Sequence, residues 1–217
     1  MIDNIEKIKP LLTFASEDDY YFLQVLLRKK DAKESAFYGG GSNNSSRLIK
    51  AYYIKSLNQL EKQYSEIKAL CDLFHARACI NLNKRSFRSS SLQMMVRLAQ
   101  SVQSENYANQ GMWNNVSGVY HPIKDKRWLI DVDDVGRNQN DMILFIEREC
   151  KPEGLKYIAT IPSKSGYHII TKPFDMSFFR GRYPDIDVHK NNPTNLYIPD
   201  LKWYHKEAMD SDRYLSR

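Results

Sequence analysis

RWLIDVDD, residues 127–134, leads into NQNDMILFIEREC (138–150), KYIATIP (156–162) and YHIITKP (167–173), and this stretch decides the fold class. RWLIDV is a short apolar run with the character of a buried strand. In 138–150, Met142, Phe145, Ile146 and Cys150 recur at helical spacing and give an amphipathic helix an inward face. KYIATIP and YHIITKP are two strand-like segments joined by the tight turn SKSG, the pattern of a hairpin. YPDIDVH (183–189) and NLYIP (195–199) supply further strands. Strand, helix, hairpin and further strands predict an α+β class, or a split βαβ sheet, over roughly residues 127–200.

The preceding residues read as a mixed helical and β lobe. Residues 20–28, YYFLQVLLR, are β-rich, and GGGSNNSS (39–46) is a loop of small polar residues. Ser45 or Ser46 is the expected N-cap of a long helix reaching about residue 72, with Leu48, Tyr52, Leu57, Leu60, Tyr64 and Ile67 at near-helical spacing. ARACINLN (76–83) alternates as a strand does, the basic turn NKRSFRSSS (83–91) precedes a helix over about 91–104, and 105–126 reads as irregular. The expected organisation is a single domain over 1–217, with an N-terminal lobe of about 1–110 and a motif-bearing sheet of about 120–200.

The chain has 217 residues, 42% of them hydrophobic and 27% charged, a globular rather than a disordered balance. No run approaches the ~18 apolar residues of a membrane span, and MIDNIEKIKPLL lacks the basic-then-apolar order of a signal peptide. Three cysteines, Cys71, Cys79 and Cys150, do not make a secreted disulfide framework. A cytoplasmic protein with no membrane partner is expected. Cys71, His75 and Cys79 form C-x3-H-x3-C, but without zinc-knuckle spacing, and are expected as buried thiols rather than a zinc site. No P-loop, dinucleotide fingerprint or G-x-S-x-G elbow is present.

Charge is unevenly distributed. Residues 22–97 hold 14 basic and five acidic side chains, whereas 98–217 hold 16 of each, with the acids in tight groups. A basic region beside clustered carboxylates suits a protein that holds a polyanion over bound cations.

Three segments carry candidate chemistry. In LIDVDD, Asp131 and Asp133 are two apart on a strand and so share a face. Carboxylates that close repel unless a cation or proton lies between them, and hard divalent ions take such oxygen ligands. Asp134 points away and is expected to cap the following turn. In PSKSGYHII, Gly166 is expected to let a ligand approach the backbone, with Ser163, Lys164 and Ser165 around the turn and His168 on the strand as a phosphate cradle. In PDIDVHKNNP, Asp185 or Asp187 offers a third carboxylate, Asp187 being preferred because Val188 continues the strand; Lys190, Asn191 and Asn192 are further donors.

The ordered triplet LIDVDD, SKSGYH and DIDV resembles the three motifs of the archaeo-eukaryotic primase, or primase-polymerase, superfamily over about residues 127–190. The resemblance implies an RRM-like catalytic sheet preceded by an N-terminal α/β lobe. It also implies two divalent metals, Mg²⁺ or Mn²⁺, and nucleotidyl transfer from nucleoside triphosphates onto a 3′-hydroxyl. Carried over by residue, Asp131, Asp133 and Asp187 are metal ligands and catalytic carboxylates, and His168 with Ser163, Lys164 or Ser165 holds the triphosphate. The basic residues Arg77, Lys84, Arg85 and Arg88 are candidates to track single-stranded or primed DNA. Tyr52, Tyr53, Trp113 and Tyr120 are candidate base-stacking platforms. The stretch after Asp187 is too short for a helicase or accessory priming domain, so a helicase or other replication protein acting in trans is an expected partner. A metal-dependent nuclease or phosphoesterase and a non-catalytic nucleic-acid-binding module are the alternative readings of the same residues.

Overall fold

The computed structural model describes residues 1–28, 46–106, 111–119, 125–134 and 136–200. They form an α+β protein with two sheets whose pairings are antiparallel. In the N-terminal half, β1 (Ile2–Asp3), α1 (Ile5–Ile8), β2 (Asp19–Arg28), β3 (Ser46–Ile54), α2 (Leu57–Phe74), β4 (Arg77–Ile80), β5 (Arg85–Ser86), α3 (Phe87–Gln103) and α4 (Met112–Val119) follow in order. The C-terminal half comprises β6 (Trp128–Val132), α5 (Gln139–Glu149), β7 (Tyr157–Pro162), β8 (Tyr167–Thr171), α6 (Met176–Arg182), β9 (Asp187–His189) and β10 (Thr194–Ile198). Among the described residues no helix is long and apolar enough to cross a membrane.

The larger sheet has the order β1-β10-β4-β2-β3, with β5 paired to β2. Helix α2 buries Leu60, Ile67 and Cys71 in the core shared with Leu23, Val25, Tyr52 and Ile54 of this sheet. The smaller sheet has the order β7-β8-β6-β9, built from a β-α-β-β-α-β segment. On β6 the side chains divide strictly by parity. Trp128, Ile130 and Val132 pack with Met142, Ile146 and Phe179 beneath α5 and α6, whereas Leu129 joins the core of the larger sheet with Ile161 and Ile170. The small sheet is therefore covered by helices on one face and turned toward the larger sheet on the other.

The helix expected to begin at Ser45 or Ser46 begins at Leu57 instead. Ser46–Ile54 is strand β3, paired along β2 from Tyr21↔Ile54 to Arg28↔Ser46. Its β-branched and aromatic residues (Ile49, Tyr52, Tyr53, Ile54) favour a pleated surface, and pairing along β2 overrides the loose helical spacing. The true cap is Ser56, whose side chain accepts from the Gln59 amide at 3.1 Å, while Gln59 Oε1 accepts from the Lys55 amide at 2.8 Å. Helix α3 starts at Phe87 rather than near 91, capped by Ser86. Part of the span read as irregular is helix α4.

Strand β10 does not belong to the motif-bearing sheet. It crosses to the larger sheet and lies between β1 and β4. All five of its residues, TNLYI, are buried, which requires a neighbour on each edge and cover on both faces. The crossing ties the lobes together. Asn4 Nδ2 donates to Pro162 O and Asn195 O, each at 2.9 Å, and Asn83 Nδ2 donates to Arg127 O and Lys190 O, each at 3.0 Å.

Candidate functional site

Register builds the site. Asp131 on β6 lies opposite His168 on β8 and opposite Asp187 on β9. Directly opposed residues of paired strands share a face, so Asp187, Asp131 and His168 form a row across three neighbouring strands. This is the face of Leu129 and Ile170, and the row lies one step beyond their apolar contact with the larger sheet. Asp133 continues the same parity at the strand end, and Ser165 Oγ from the β7–β8 turn donates to its Oδ1 at 2.8 Å.

His168 is the buried member. Its Nε2 lies 3.4 Å from Asp131 Oδ1, and its Nδ1 lies 2.8 Å from the hydroxyl of Thr194, a fully buried residue of β10. A carboxylate facing Nε2 calls for a proton there, so Nδ1 either accepts from Thr194 in the neutral ring or donates to it in the imidazolium. The hydrogen bond from His168 holds the Asp131 carboxyl below the usual carboxylate range against the opposing effect of burial, with further lowering from His189 and Arg28. Thr194, His189 and Arg28 were not singled out in the sequence. Thr194 and Arg28 come from the other sheet, and no local spacing signals them.

A cavity of about 220 Å³ opens on this row, lined by Asp131, Asp133, Asp134, Asp185 and Asp187 together with Arg137. Arg137 is the one cation among its described lining residues, and it is already engaged. Nη1 donates to Asp185 Oδ1 at 3.2 Å, Nη2 pairs with Asp185 Oδ2, and Asp134 Oδ2 lies 4.0 Å from Nε. Asp185, one of the two candidates for the third carboxylate, is thereby neutralised. Asp187 has no hydrogen bond or ion pair among the described residues, leaving Asp131, Asp133 and Asp187 as acceptor-only oxygens in one cleft. That donor set fits a hard divalent ion such as Mg²⁺, which takes one or two carboxylates and fills its remaining positions with water or phosphate oxygens. Among the described residues no three His, Cys, Asp or Glu side chains converge tightly enough to hold a metal by themselves.

Gly166 has a different role from the one expected. A Cβ there would lie 1.8 Å from the carbonyl oxygen of Val132, so the backbone that approaches it is the end of β6 and not a ligand. The glycine lets the SKSG turn close over the strand that carries Asp131 and Asp133. Ser163 accepts this closure through its amide, which donates to Gly166 O at 2.9 Å. Its Oγ is enclosed without a hydrogen-bond partner among the described residues. Lys164 is exposed beside it, and Asp134 caps its turn, accepting from the Gly136 amide at 2.8 Å, but it lines the cavity with Asp131 and Asp133 instead of pointing away from it.

The basic candidates separate by burial. Arg85 is fully buried, its guanidinium held by Ser117 O, Asn83 O, Gly118 O and Asn191 Oδ1. Arg77 is 4% exposed on β4. Neither can follow an external phosphate backbone, because burial between packed elements consumes the charge inside the fold. Lys84 pairs with Asp19 at 2.7 Å, while Arg88 is exposed on α3. Asn191 is likewise a structural link between Arg85 and Gly118 O, whereas Lys190 lies over the Trp128 ring. Tyr52 is buried, and Tyr53 and Trp113 stack within a cluster with Tyr20, Phe22 and Phe87, so these rings are packing groups; Tyr120 lies outside the described residues. The three cysteines are buried free thiols. No family model matches this chain, and no curated protein or solved structure matches it either.

Proposed function

We propose that the protein is a metal-dependent nucleotidyltransferase of primase-polymerase type, which synthesises or extends a nucleic-acid strand from nucleoside triphosphates. The observation that carries this reading is the row Asp187–Asp131–His168, in which Asp187 and Asp131, with Asp133, line a cleft whose lining cation is otherwise occupied while His168 is buried behind them. The β-α-β-β-α-β order and the strand order β7-β8-β6-β9 support an RRM-like sheet as its scaffold.

Asp131, Asp133 and Asp187 would hold Mg²⁺ or Mn²⁺, which when bound lowers the pKa of the attacking hydroxyl and neutralises charge on the phosphate oxygens. His168 directs its Nε2–H at Asp131 while Thr194 holds the ring from behind, and on triphosphate binding that proton would have to pass from the carboxylate to a phosphate oxygen. Ser165 orients Asp133. Lys164, exposed on the turn, is the proposed cation for a triphosphate, whereas the Ser163 hydroxyl, expected in the same cradle, is enclosed and out of its reach. Single-stranded or primed DNA is the proposed strand partner.

The test is strand synthesis on a labelled primer–template and on an unprimed single strand, with NTPs or dNTPs and Mg²⁺ or Mn²⁺. Products longer than the primer, absent in Asp131→Ala/Asp133→Ala, are expected. Shortened strands would replace this reading with a nuclease. A non-catalytic nucleic-acid-binding module is the second reading, favoured by the loose spacing of the carboxylates. It requires strand binding that survives the double substitution without any change in strand length.

A further inference from the structure

Arg137 lines two cavities. Beyond the Arg137–Asp185 pair lies a second one of about 330 Å³, walled by Asn138, Asp141, Arg182 and Tyr183. Arg182, in the last turn of α6, has its guanidinium carbon 5.9 Å from the Tyr183 ring centroid. It makes no ion pair among the described residues. The Arg137 side chain is 33% exposed and its partner Asp185 59%, so that pair is screened by solvent and contributes little to holding the fold. A phosphate group presents two or three acceptor oxygens to the same guanidinium fork, and Asp185 can turn to water without leaving a buried charge.

We infer that this second cavity is a phosphate subsite, in which the Arg137 and Arg182 guanidiniums grip one phosphate group of a ligand that extends from the carboxylate cleft. The ligand class rests on the nucleotidyl-transfer reading; the subsite itself rests on the two guanidiniums and the shared wall. Asn138 already caps the amides of Asn140 and Asp141, so the arginines and not the start of α5 hold the anion. Asp141 also lines the cavity, and its carboxylate disfavours an anion seated against it. The phosphate comes either from a triphosphate tail or from the backbone of a strand.

Calorimetric titration in EDTA, with tripolyphosphate and separately with a 5′-hydroxyl oligothymidylate, tests the subsite without any metal. Arg137→Ala and Arg182→Ala are each expected to weaken at least one ligand about tenfold, with Arg180→Ala, an exposed residue of the same helix outside the cavity, within twofold of wild type. Weakening of tripolyphosphate identifies a triphosphate tail, and weakening of the oligonucleotide alone identifies a backbone phosphate. Arg137→Lys keeps the charge but loses the fork. With an unchanged melting temperature it should also bind more weakly, which separates lost contact from lost folding. The inference is overturned if wild type binds neither ligand, if both arginine variants bind as wild type does, or if Arg180→Ala is weakened equally. Strand synthesis by the same proteins separates the two readings. Wild type that binds phosphate through these arginines but extends nothing sinks the nucleotidyl-transfer reading alone, and extension with unaffected arginine variants sinks the subsite alone.

Discussion

The basic turn at 83–88 and the acidic segments at 131–134 and 185–187 look alike as sequence, each a short group of like charges beside an apolar segment. In the folded protein their fates are opposite. Arg85 is enclosed and donates to four acceptors from three parts of the chain, and Lys84 is spent on Asp19. Asp187 has no partner among the described residues, and Asp133 has a single hydroxyl donor from Ser165. A buried charge must be fully solvated by the protein or it will not stay charged. A group of charges left half-open and under-partnered is costly to the fold, and that cost is characteristic of a site kept for a ligand. The contrast supports the carboxylate face as the candidate site and assigns Arg85 and Lys84 of the basic turn to architecture.

The sharpest way to break this contrast is to remove both kinds of charge. Asp131→Ala/Asp133→Ala should lower strand synthesis by more than about a thousandfold, read as product per enzyme on a gel, while the protein stays folded by circular dichroism. Arg85→Met should do the reverse, costing about 3 kcal/mol of unfolding free energy in urea titration because four acceptors lose their donor in a buried site. If Arg85→Met were neutral, the structural reading of the basic turn would fail. Gly166→Ala should cost about 2 kcal/mol and reduce activity with it, since the added Cβ drives against the Val132 carbonyl and displaces both carboxylates.

The Asp131–His168 contact makes a pH prediction. The Asp131 carboxyl is held down in the folded state, so its contribution to stability is complete above its unfolded value and is lost as pH falls through the lower, folded one. Asp131→Asn should therefore flatten the acid limb of the melting-temperature profile below about pH 4 and leave the profile near neutrality unchanged in shape. The smallest effect belongs to Asp187→Asn. Removing an unpartnered charge from an acidic cleft should leave stability equal or higher by about 0.5 kcal/mol, and a drop in melting temperature would show that Asp187 has a structural partner after all.

Most of the motif-bearing sheet was legible in the sequence. The strand 128–132, the helix over 139–149 and the hairpin at 157–171 lie where apolar periodicity and the SKSG turn put them. The failures are equally physical. Ser46–Ile54 carries both a helical spacing and a β-forming composition, and only pairing along β2 separates the two. The start of α2 was readable from Ser56 and Gln59, a serine with glutamine three residues on. Arg77 and Arg85 read as surface charge because the Ser117 and Asn191 groups that enclose Arg85, and the β2 strand beside Arg77, are distant in sequence.

By itself the sequence determined which residues share a face. Alternation along a strand is a local property of the pleat, so Asp131 goes with Leu129 and Asp133 and against Ile130 and Val132 whatever the rest of the chain does. Which faces meet was decided only in three dimensions. The β6–β9 register places Asp187 opposite Asp131 and leaves Asp185 to Arg137. The crossing of β10 into the larger sheet brings Thr194 to His168. Register and crossing depend on which strand best fills each edge and covers each face, a choice made by the whole set of segments together, and no window of sequence contains it.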